Sequence, residues 1–424
     1  MSSLTLSGGI VCDLAAGTVE RRDLHVSGDR VGGEGGDSVD VSGCIVTGGF
    51  VCAHHHLYSA LARGMPGPSD PPHNFREILE RVWWRLDRAL DPEAVSLSAR
   101  LGALEAALAG TTTIVDHHAS PEAIDGSLNL VADGISGAGL RGAVCYEVTD
   151  RHGEKRGRAG IAENLRFIES NDRALIAGMV GAHASFTIGD RTMEELVACA
   201  RNLGAPLHIH VAEDAFDEDD SMERYGLRTA ERLASRGALA EGDLIAHGVH
   251  LDDSEINAVR ASGAFVAHNP RSNMNNGVGY APALRLGERV ALGTDGIDGD
   301  MLAETKACYL KAREASWSAG VGFAVDRLAQ GHSVAGSLFG EPALGRLSAG
   351  APADLVVLEY EAPTPVDETN LGGHLIFGRP TVRDVMVAGR WVVRSGKHVD
   401  IDEQELRAEC SRAAPRLWKR MEEF

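Results

Sequence analysis

The segment Phe50-Val51-Cys52-Ala53-His54-His55-His56-Leu57 decides how the rest of this 424-residue chain is interpreted. An apolar run that begins at Cys44 leads into it and is typical of a buried β-strand. Side chains alternate between the two faces of a strand, so His54 and His56 point to the same side. Two imidazoles at this spacing can bind one metal ion, although a pair of histidines in a polar loop would give the same pattern.

Four later segments repeat this arrangement, in which a short apolar run ends in a polar residue. They are residues 205–213 with His210 and Glu213, 243–250 with His247, 264–270 with His268 and Asn269, and 290–296 with Asp295. Stretches with helical periodicity lie between several of these runs, which indicates alternating strands and helices. Because the site of a (β/α)8 barrel forms at the carboxyl ends of its strands, the repetition predicts an α/β protein with a TIM-like barrel.

The two ends of the chain have a different pattern from the middle. Residues 1–48 and 336–400 contain short alternating runs typical of β-strands joined by turns, and neither piece is large enough to form a good core alone. We therefore expect both to build one small β-sandwich domain, into which the barrel of residues 49–335 is inserted. Residues 401–424 are predicted to form a C-terminal helix.

Charge and composition limit the partners of the protein. The net charge of −20 repels phosphates and anionic lipids, so neither nucleic acid nor a membrane is expected as a partner. The start of the chain lacks the features of a signal peptide, and no apolar run is long enough to cross a membrane. The seven cysteines are scattered without a C-x-x-C pair, which favours free thiols in a reducing cytoplasm.

Several of these segments resemble the amidohydrolase superfamily, and the resemblance covers nearly the whole chain. The stretches that carry it for the branch of cytosine and adenosine deaminases and triazine hydrolases are 49–56, 210–213, 268–273, 293–296 and 345–356. Within this branch, the chain is most similar to the SsnA-like aminohydrolases, through residues 81–87, 116–120, 145–148, 181–186 and 273–276. Gly48 stands where the superfamily usually has proline, which affects the entry into the strand and not the chemistry.

The resemblance implies that His54, His56, His210 and Asp295 are the metal ligands. Three imidazoles and one carboxylate suit Zn²⁺, and Fe²⁺ would also fit. The strand that ends at His183 carries no lysine, whereas related enzymes with two metals use a carboxylated lysine as a bridge. We therefore expect one divalent metal per chain.

The resemblance also implies catalytic roles for three residues. Glu213 would move a proton between the attacking water and the substrate nitrogen, and His247 would orient that water. Asp295 can take the proton of the water while it binds the metal. His208 lies on the same strand face as His210, one layer lower, and is predicted to be a histidine of the barrel core, with metal ligation as the alternative.

Substrate contacts are expected from residues that follow or end strands. The candidates are His117, His183, Asn269 and Tyr58. A purely structural, hydrogen-bonded role is the alternative for His117 and His183. His268 is predicted to brace the loop that carries Asn269, with a direct substrate contact by His268 as the alternative. Arg63 and Arg271 are further candidates, which could bind a carboxylate of the substrate.

The long segment 57–80 after the first ligand strand predicts a lid over the substrate, with a disordered surface insert as the alternative. Its apolar residues would cover a planar substrate, and they are Leu57, Tyr58, Met65 and Phe75. The pair Trp83-Trp84 is predicted to pack at the base of this lid rather than against the substrate.

Taken with the resemblance, these residues predict a mononuclear metal-dependent deaminase. It would attack a carbon that carries an amino group in a heterocycle or a cyclic amidine or guanidine-like system, and release ammonia. The alternatives within enzymes are hydrolytic removal of chloride and hydrolysis of a cyclic amide. The alternative of another class is a binding protein without catalysis, which would require missing ligands. Relatives imply a homodimer.

Overall fold

The computed structural model describes residues 3–424. The strands are β1 (Ser3–Ser7), β2 (Ile10–Asp13), β3 (Thr18–Arg21), β4 (Leu24–Ser27), β5 (Arg30–Val31), β6 (Asp37–Asp40), β7 (Cys44–Gly48), β8 (Phe50–His55), β9 (Thr111–His118), β10 (Arg141–Tyr146), β11 (Ile176–Gly178), β12 (Val180–Ala184), β13 (Leu207–Val211), β14 (Leu244–His247), β15 (Phe265–His268), β16 (Val290–Leu292), β17 (Leu355–Glu359), β18 (Thr381–Val387), β19 (Arg390–Arg394) and β20 (Lys397–His398).

Helices alternate with the strands in the middle of the chain, as the sequence predicts. They are α1 (Phe75–Ile78), α2 (Trp84–Ala89), α3 (Pro92–Leu108), α4 (Ser127–Gly137), α5 (Glu154–Ser170), α6 (Asp190–Leu203), α7 (Ala215–Tyr225), α8 (Thr229–Ser235), α9 (Asp253–Ser262), α10 (Pro270–Asn275), α11 (Met301–Ala315), α12 (Val321–Phe339), α13 (Leu371–Phe377) and α14 (Glu403–Arg420). A π-helical turn, Leu79–Trp83, connects α1 to α2. Across residues 3–424, no helix combines the length and the apolar character needed to span a membrane.

The parallel strands form two arcs, in the orders β11-β10-β9-β8 and β12-β13-β14-β15-β16. One junction between the arcs is bridged by His55 and Asp295, and the other by Val148 and Ala182. At the second junction the expected fourth barrel strand is divided around Met179, so that β11 pairs with β10 while β12 pairs with β13. The α/β architecture is therefore as predicted, but within the described residues the strand ladder is not one closed, continuously hydrogen-bonded barrel.

Both chain ends contribute to two further sheets, ordered β5-β4-β1-β6 and β20-β19-β18-β17-β7-β2-β3. The N-terminal strand β7 pairs with the C-terminal strand β17, with Val46 opposite Val357. Leu6 and Val26 from the first sheet share a buried apolar cluster with Val46 and Met386 from the second. The two ends of the chain therefore form their core together, because neither has enough apolar surface alone.

The strand β7 passes directly into β8, which carries the first two predicted ligands. A Cβ atom on Gly48 would lie 2.4 Å from the carbonyl oxygen of Gly345, and one on Gly49 would lie 2.1 Å from the side chain of Thr112. Larger residues would force the two backbones apart at this connection. The glycines therefore allow the terminal sheet to continue directly into the parallel strands.

A buried ion pair connects the terminal sheets to the parallel strands. Arg141 begins β10 and binds Asp354, which precedes β17, with a distance of 3.1 Å between Nη2 and Oδ1. The side chain of Asp354 is 0% exposed, and its Oδ1 also accepts a hydrogen bond from the backbone N–H of Ala388. Both partners therefore depend on each other for charge neutralisation.

We expect the Asp354→Ala substitution to lower the free energy of unfolding by about 3–5 kcal/mol, because it leaves the Arg141 charge buried without a partner. Chemical denaturation of the full chain measures this change. Glu93→Ala is the matched control, since the pair of Glu93 with Arg416 has side chains that are 58% and 53% exposed. Equal loss of stability in both variants would contradict the role of the buried pair.

Candidate active site

Four side chains converge at the carboxyl ends of the parallel strands. His54 and His56 come from β8 and its end, His210 from β13, and Asp295 follows β16, with their ligand atoms within 4.8 Å of one another. The Nε2 atom of His56 lies 3.1 Å from Asp295 Oδ1 and 3.2 Å from His210 Nε2, and His54 Nε2 lies 3.7 Å from the same carboxylate oxygen. The structure thus brings together all four residues that the sequence proposes as metal ligands.

Hydrogen bonds fix the orientation of two of these imidazoles. The Nδ1 atom of His56 lies 2.5 Å from the carbonyl oxygen of His117, and that of His210 lies 2.9 Å from the carbonyl oxygen of His183. A carbonyl oxygen only accepts, so each Nδ1 carries the proton and each Nε2 keeps its electron pair for a ligand.

The donor set fits one divalent metal ion. His54 Nε2 is buried, and among residues 3–424 no hydrogen-bond partner reaches it, which is unfavourable for a buried ring nitrogen unless a ligand binds there. Three imidazole nitrogens and one carboxylate oxygen match the ligands that Zn²⁺ and Fe²⁺ accept.

Unusual backbone conformations place three residues at the strand ends around this cluster. Ala212, His247 and Asp295 have φ angles of 48°, 75° and 53°, in the left-handed region that residues with a Cβ atom rarely adopt. Such conformations cost about 1–3 kcal/mol each and persist only where the surroundings impose them. Here they turn the backbone sharply after β13, β14 and β16.

Glu213 and His247 lie beside the ligand cluster and face each other. Glu213 Oε2 is 3.5 Å from His247 Nε2, which in turn is 4.0 Å from Asp295 Oδ2. The other ring nitrogen of His247 donates to Asn273 Oδ1 at 2.9 Å, so the electron pair of Nε2 points towards the two carboxylates. The hydroxyl of Ser272 donates to Asp295 Oδ2 and holds that carboxylate in place.

The two carboxylates have opposite protonation preferences. Burial and the neighbouring charge of Asp295 raise the pKa of Glu213 well above its usual value. Burial alone would raise the pKa of Asp295 as well, but the neighbouring imidazoles of His54 and His56 hold it well below its usual value. A pair of acids with separated pKa values is suited to a proton donor and a proton acceptor in one site.

A cavity of about 260 Å³ opens above this cluster. Its floor contains His56, His210, Glu213 and Asp295, and its walls are largely aromatic and apolar. The wall residues include Tyr58, Phe75, Leu79, Trp83, Trp84, Phe186 and Phe216. This combination of apolar walls and a few convergent polar groups is typical of a site for a flat organic molecule.

The π-helical turn 79–83 contributes Leu79 and Trp83 to this wall. A π-turn contains more residues per turn than an α-helix and occurs frequently at functional sites. Trp83 and Trp84 both line the cavity, so the prediction that they only pack at the base of a lid is wrong. The guanidinium of Arg151 stacks on Trp84 at 4.5 Å from the ring centroid and supports it from behind.

Two acidic residues of the cavity were missed in the sequence. Asp87 and Glu147 both line it and share Arg151, at 3.5 Å and 3.2 Å respectively. Burial, followed by the charge of Glu147, raises the pKa of Asp87 to about 7, although Arg151 opposes this shift. Glu147 follows β10 directly and could have been found from the strand-end pattern, whereas Asp87 lies on a helix and has no such signal.

Asp87 and Trp84 each present a polar atom that the protein leaves without a partner. Asp87 Oδ1 and Trp84 Nε1 are buried, and neither has a hydrogen bond within the described part of the chain. Such groups are rare in folded proteins and indicate a bound molecule or water that completes them. Both atoms are therefore free to form hydrogen bonds with a molecule bound in the cavity.

The structure divides the four candidates for substrate contact into two pairs. Tyr58 and His183 line the cavity. His117 and Asn269 do not, and both are 0% exposed. His117 Nε2 donates towards the carbonyl oxygens of Ala182 and His208, at 3.1 Å and 3.2 Å, because its side chain points into the layer below the metal ligands.

The Asn269 side chain instead lies against His247, with 3.4 Å between Asn269 Nδ2 and His247 Nδ1. Its Oδ1 approaches Gly293, where a Cβ atom would lie only 2.4 Å from that oxygen. Asn269 thus supports the wall behind His247, and neither His117 nor Asn269 lines the cavity.

Other residues of the predicted lid and carboxylate site also lie elsewhere. Residues 57–80 are ordered and contain a 3-10 helix, Leu57–Ala62, but Leu57 and Met65 pack against the core instead of the cavity. Arg63 pairs with Glu105, and Arg271 pairs with Asp298 and Glu304. Their charges are therefore already neutralised by the protein, and neither arginine lines the cavity.

The comparisons with known proteins agree with this site. The sequence profile of the Amidohydrolase family matches residues 45–392. The chain is 32% identical to a 5-methylthioadenosine/S-adenosylhomocysteine deaminase of Halobacterium salinarum, over 97% of this chain and 94% of that protein. It is 28% identical to a 5'-deoxyadenosine deaminase of Methanococcus maripaludis, over 93% of both chains.

A solved structure also resembles the whole chain. It is an adenosine deaminase from Xanthomonas campestris with bound zinc, which superposes with a TM-score of 0.88 and covers 99% of each chain at 22% sequence identity. At this level of identity, the likeness shows that the two proteins share the fold, which implies a (β/α)8 barrel of the TIM type.

We expect the purified protein to bind one divalent metal per chain, and the His210→Ala variant to lose most of it, because three ligands bind far more weakly than four. Elemental analysis of dialysed protein measures the metal content. His250→Ala is the control, since His250 follows a neighbouring strand end but lies outside the ligand cluster. Two tightly bound metals per chain would contradict this prediction.

Proposed function

Because the chain belongs to the amidohydrolase family, we propose that it is a metal-dependent deaminase that releases ammonia from an adenine nucleoside or a similar heterocyclic amine. The observation that carries this proposal is the position of Glu213, between the ligand cluster and the cavity, with a raised pKa. Related proteins named as deaminases of 5-methylthioadenosine and 5'-deoxyadenosine support the reaction class.

The residues of the site divide the steps of a hydrolytic deamination among them. A bound divalent metal supplies a Lewis acid that lowers the pKa of a water molecule. Asp295 and His247 lie side by side, so they can orient the attacking water and hold its proton. Glu213, which holds a proton because of its burial, can donate it to the leaving nitrogen so that ammonia departs as a neutral molecule.

The walls of the cavity support a nucleoside as substrate. Aromatic side chains on several sides suit a flat purine ring. The free Oδ1 of Asp87 can accept hydrogen bonds from hydroxyl groups such as those of a ribose, and the Trp84 indole N–H can donate to an oxygen or ring nitrogen. His183 and Tyr58 complete the group of proposed substrate contacts.

The alternative reactions are less well supported. Loss of chloride does not require a proton donor for the leaving group, whereas burial raises the pKa of Glu213 and so favours a proton donor at that place. A binding protein without catalysis would lack part of the ligand set, and here the four groups converge. Ammonia release, as opposed to chloride release or ring opening, distinguishes these reactions directly.

We further propose that the metal is zinc, with Fe²⁺ as the alternative, and that the protein is a cytoplasmic homodimer. The donor set and the zinc in the related deaminase structure support the first proposal. Free thiols at all seven cysteines of the described chain fit a reducing compartment.

The domain division is proposed as residues 1–48 and 336–400 in a β-sandwich, 49–335 in the hydrolase barrel and 401–424 in a C-terminal helix. We also propose that segment 57–80 closes over the substrate.

We expect Glu213→Gln to lower kcat by about 10²–10⁴-fold, because the variant cannot transfer a proton but keeps the shape of the side chain. The measurement is ammonia release from 5'-deoxyadenosine and 5-methylthioadenosine, with metal content determined in parallel. Unchanged metal content separates a proton carrier from a ligand. Full activity of the variant would show that another group carries the proton.

We expect Asp87→Ala, assayed at about pH 8 where Asp87 with its pKa of about 7 is mainly ionised, to lower kcat/KM for nucleosides by about 10–100-fold, because a hydrogen bond to a charged group contributes about 1.5–3 kcal/mol. The same variant should leave activity on the free base nearly unchanged, since the base lacks the sugar hydroxyls. Glu80→Ala is the control, since Glu80 belongs to the adjoining π-helical turn but its side chain is exposed and does not line the cavity. Equal losses on nucleoside and base would contradict a contact between Asp87 and the sugar.

A further inference from the structure

One of the three ligand imidazoles is held differently from the other two. His56 and His210 donate their Nδ1 protons to backbone carbonyl oxygens. His54 Nδ1 lies 2.9 Å from Nε2 of another histidine, His208, which is 0% exposed. The rings of His54 and His208 meet nearly edge to face, with centroids 4.9 Å apart and an interplanar angle of 75°.

The direction of this hydrogen bond follows from the metal site. If His54 offers the electron pair of Nε2 to the metal, its proton must lie on Nδ1, so His54 donates and His208 accepts through Nε2. The proton of His208 must then lie on Nδ1, the atom 3.7 Å from the sulfur of Cys145. The tautomer of His54 therefore determines the tautomer of His208.

The chain of hydrogen bonds ends on the backbone of a neighbouring strand. The Cys145 thiol accepts from His208 and donates to the carbonyl oxygen of Asp116, at 3.6 Å. The carboxylate of Asp116 in turn accepts from the backbone N–H of Leu57, at 2.7 Å, directly after His56. Every donor in this sequence meets an acceptor, in one consistent direction from β8 through β13 and β10 to β9.

We propose that His208 is a positioning residue for the metal, which accepts the Nδ1 proton of His54 and so keeps His54 Nε2 available as a ligand, and that Cys145 fixes the tautomer of His208. The proposal rests on the proposed metal site and is independent of the substrate. An acceptor bonded to the far nitrogen of a ligand histidine fixes its tautomer and ring orientation, and loss of such a partner typically weakens metal binding by about 10–100-fold.

The competing interpretation is a second metal site in this layer. The ligand atoms of His117, Cys145 and His208 also lie within 4.8 Å of one another, and all three residues are buried. However, Nε2 of His117 already faces two carbonyl oxygens and Nε2 of His208 faces His54. The Nε2 atoms of both histidines are thus already occupied by protein partners, which favours the positioning role.

Two substitutions at position 208 separate positioning from packing. The amide of glutamine extends to the position of the imidazole Nε2, so His208→Gln keeps an acceptor for His54. The shorter amide of asparagine extends only to the position of Nδ1, so His208→Asn leaves His54 without that acceptor. We expect the dissociation constant for Zn²⁺ to rise by about 10–100-fold in His208→Asn and to stay within a few-fold of the wild-type value in His208→Gln.

The measurement is competition of the full-length apoprotein with a chromophoric chelator for Zn²⁺, together with the visible absorption spectrum of the Co²⁺-loaded protein. The spectrum reports the geometry of the metal ligands. If His208 only filled space, the asparagine variant would not differ from the glutamine variant in this spectrum. Equal Zn²⁺ affinities of the asparagine and glutamine variants would overturn the proposal. So would a second bound Zn²⁺ that disappears in either variant.

A second pair of substitutions tests the proposal if the variants at 208 do not fold. Cys145→Ser keeps a group that accepts from His208, and Cys145→Ala removes it. We expect Zn²⁺ binding to weaken several-fold in the alanine variant and to recover in the serine variant; equally tight binding by Cys145→Ala and the wild type would overturn the role of Cys145. Ammonia release is assayed separately, so an inactive protein with this pattern of Zn²⁺ affinities would contradict the proposed deaminase and leave the positioning role intact.

Discussion

The convergence of buried imidazoles at one point is the constraint on which the rest of the structure depends. A buried ring nitrogen without a partner is unfavourable, so each ligand histidine needs an acceptor for one nitrogen and a metal for the other. The parallel strands meet this need, because the backbone carbonyl oxygens of His117 and His183 lie beside the rings of His56 and His210. The strand arrangement thus provides both the ligands and the groups that orient them.

Irregular geometry is concentrated where the chemistry is proposed. The left-handed backbone at Ala212, His247 and Asp295 lies at strand ends around the ligand cluster, and the π-helical turn at 79–83 brings Leu79 and Trp83 into the cavity wall. These conformations are unfavourable locally and are stabilised by the surrounding regular strands and helices. The fully buried strand β9 differs from these segments, since it pairs with β10 without a register shift.

The terminal sheets hold the scaffold together from outside the cavity. Strands from both ends of the chain pair with each other, and the buried pair of Arg141 and Asp354 joins them to the start of β10. The carboxyl end of β10 leads to Glu147, which shares Arg151 with Asp87 at the cavity wall. The first strand of the parallel arc, β8, continues from the sheet through Gly48 and Gly49.

The sequence by itself determined the class of fold and the residues gathered in the ligand cluster. Apolar runs that end in His54, His56, His210 and Asp295 are visible as local patterns, because strand alternation and strand ends are properties of neighbouring residues. The resemblance of these strand ends to the amidohydrolase superfamily implied the roles of Glu213 and His247, which lie together beside the cluster.

Only the tertiary structure decided which side chains face the cavity and which support it from behind. His117 and Asn269 end strands in the same way as the ligands, yet their side chains point into closed layers. Asp87, Trp83 and Trp84 reach the cavity because a π-turn changes the phase of their helix, and Arg151 joins them from a segment more than 60 positions away, as its pairing with Asp87 shows. The partner of His54 was equally inaccessible, since the bond to His208 joins strands that are 154 positions apart. Contacts of this kind depend on packing between distant segments, about which local sequence patterns carry no information.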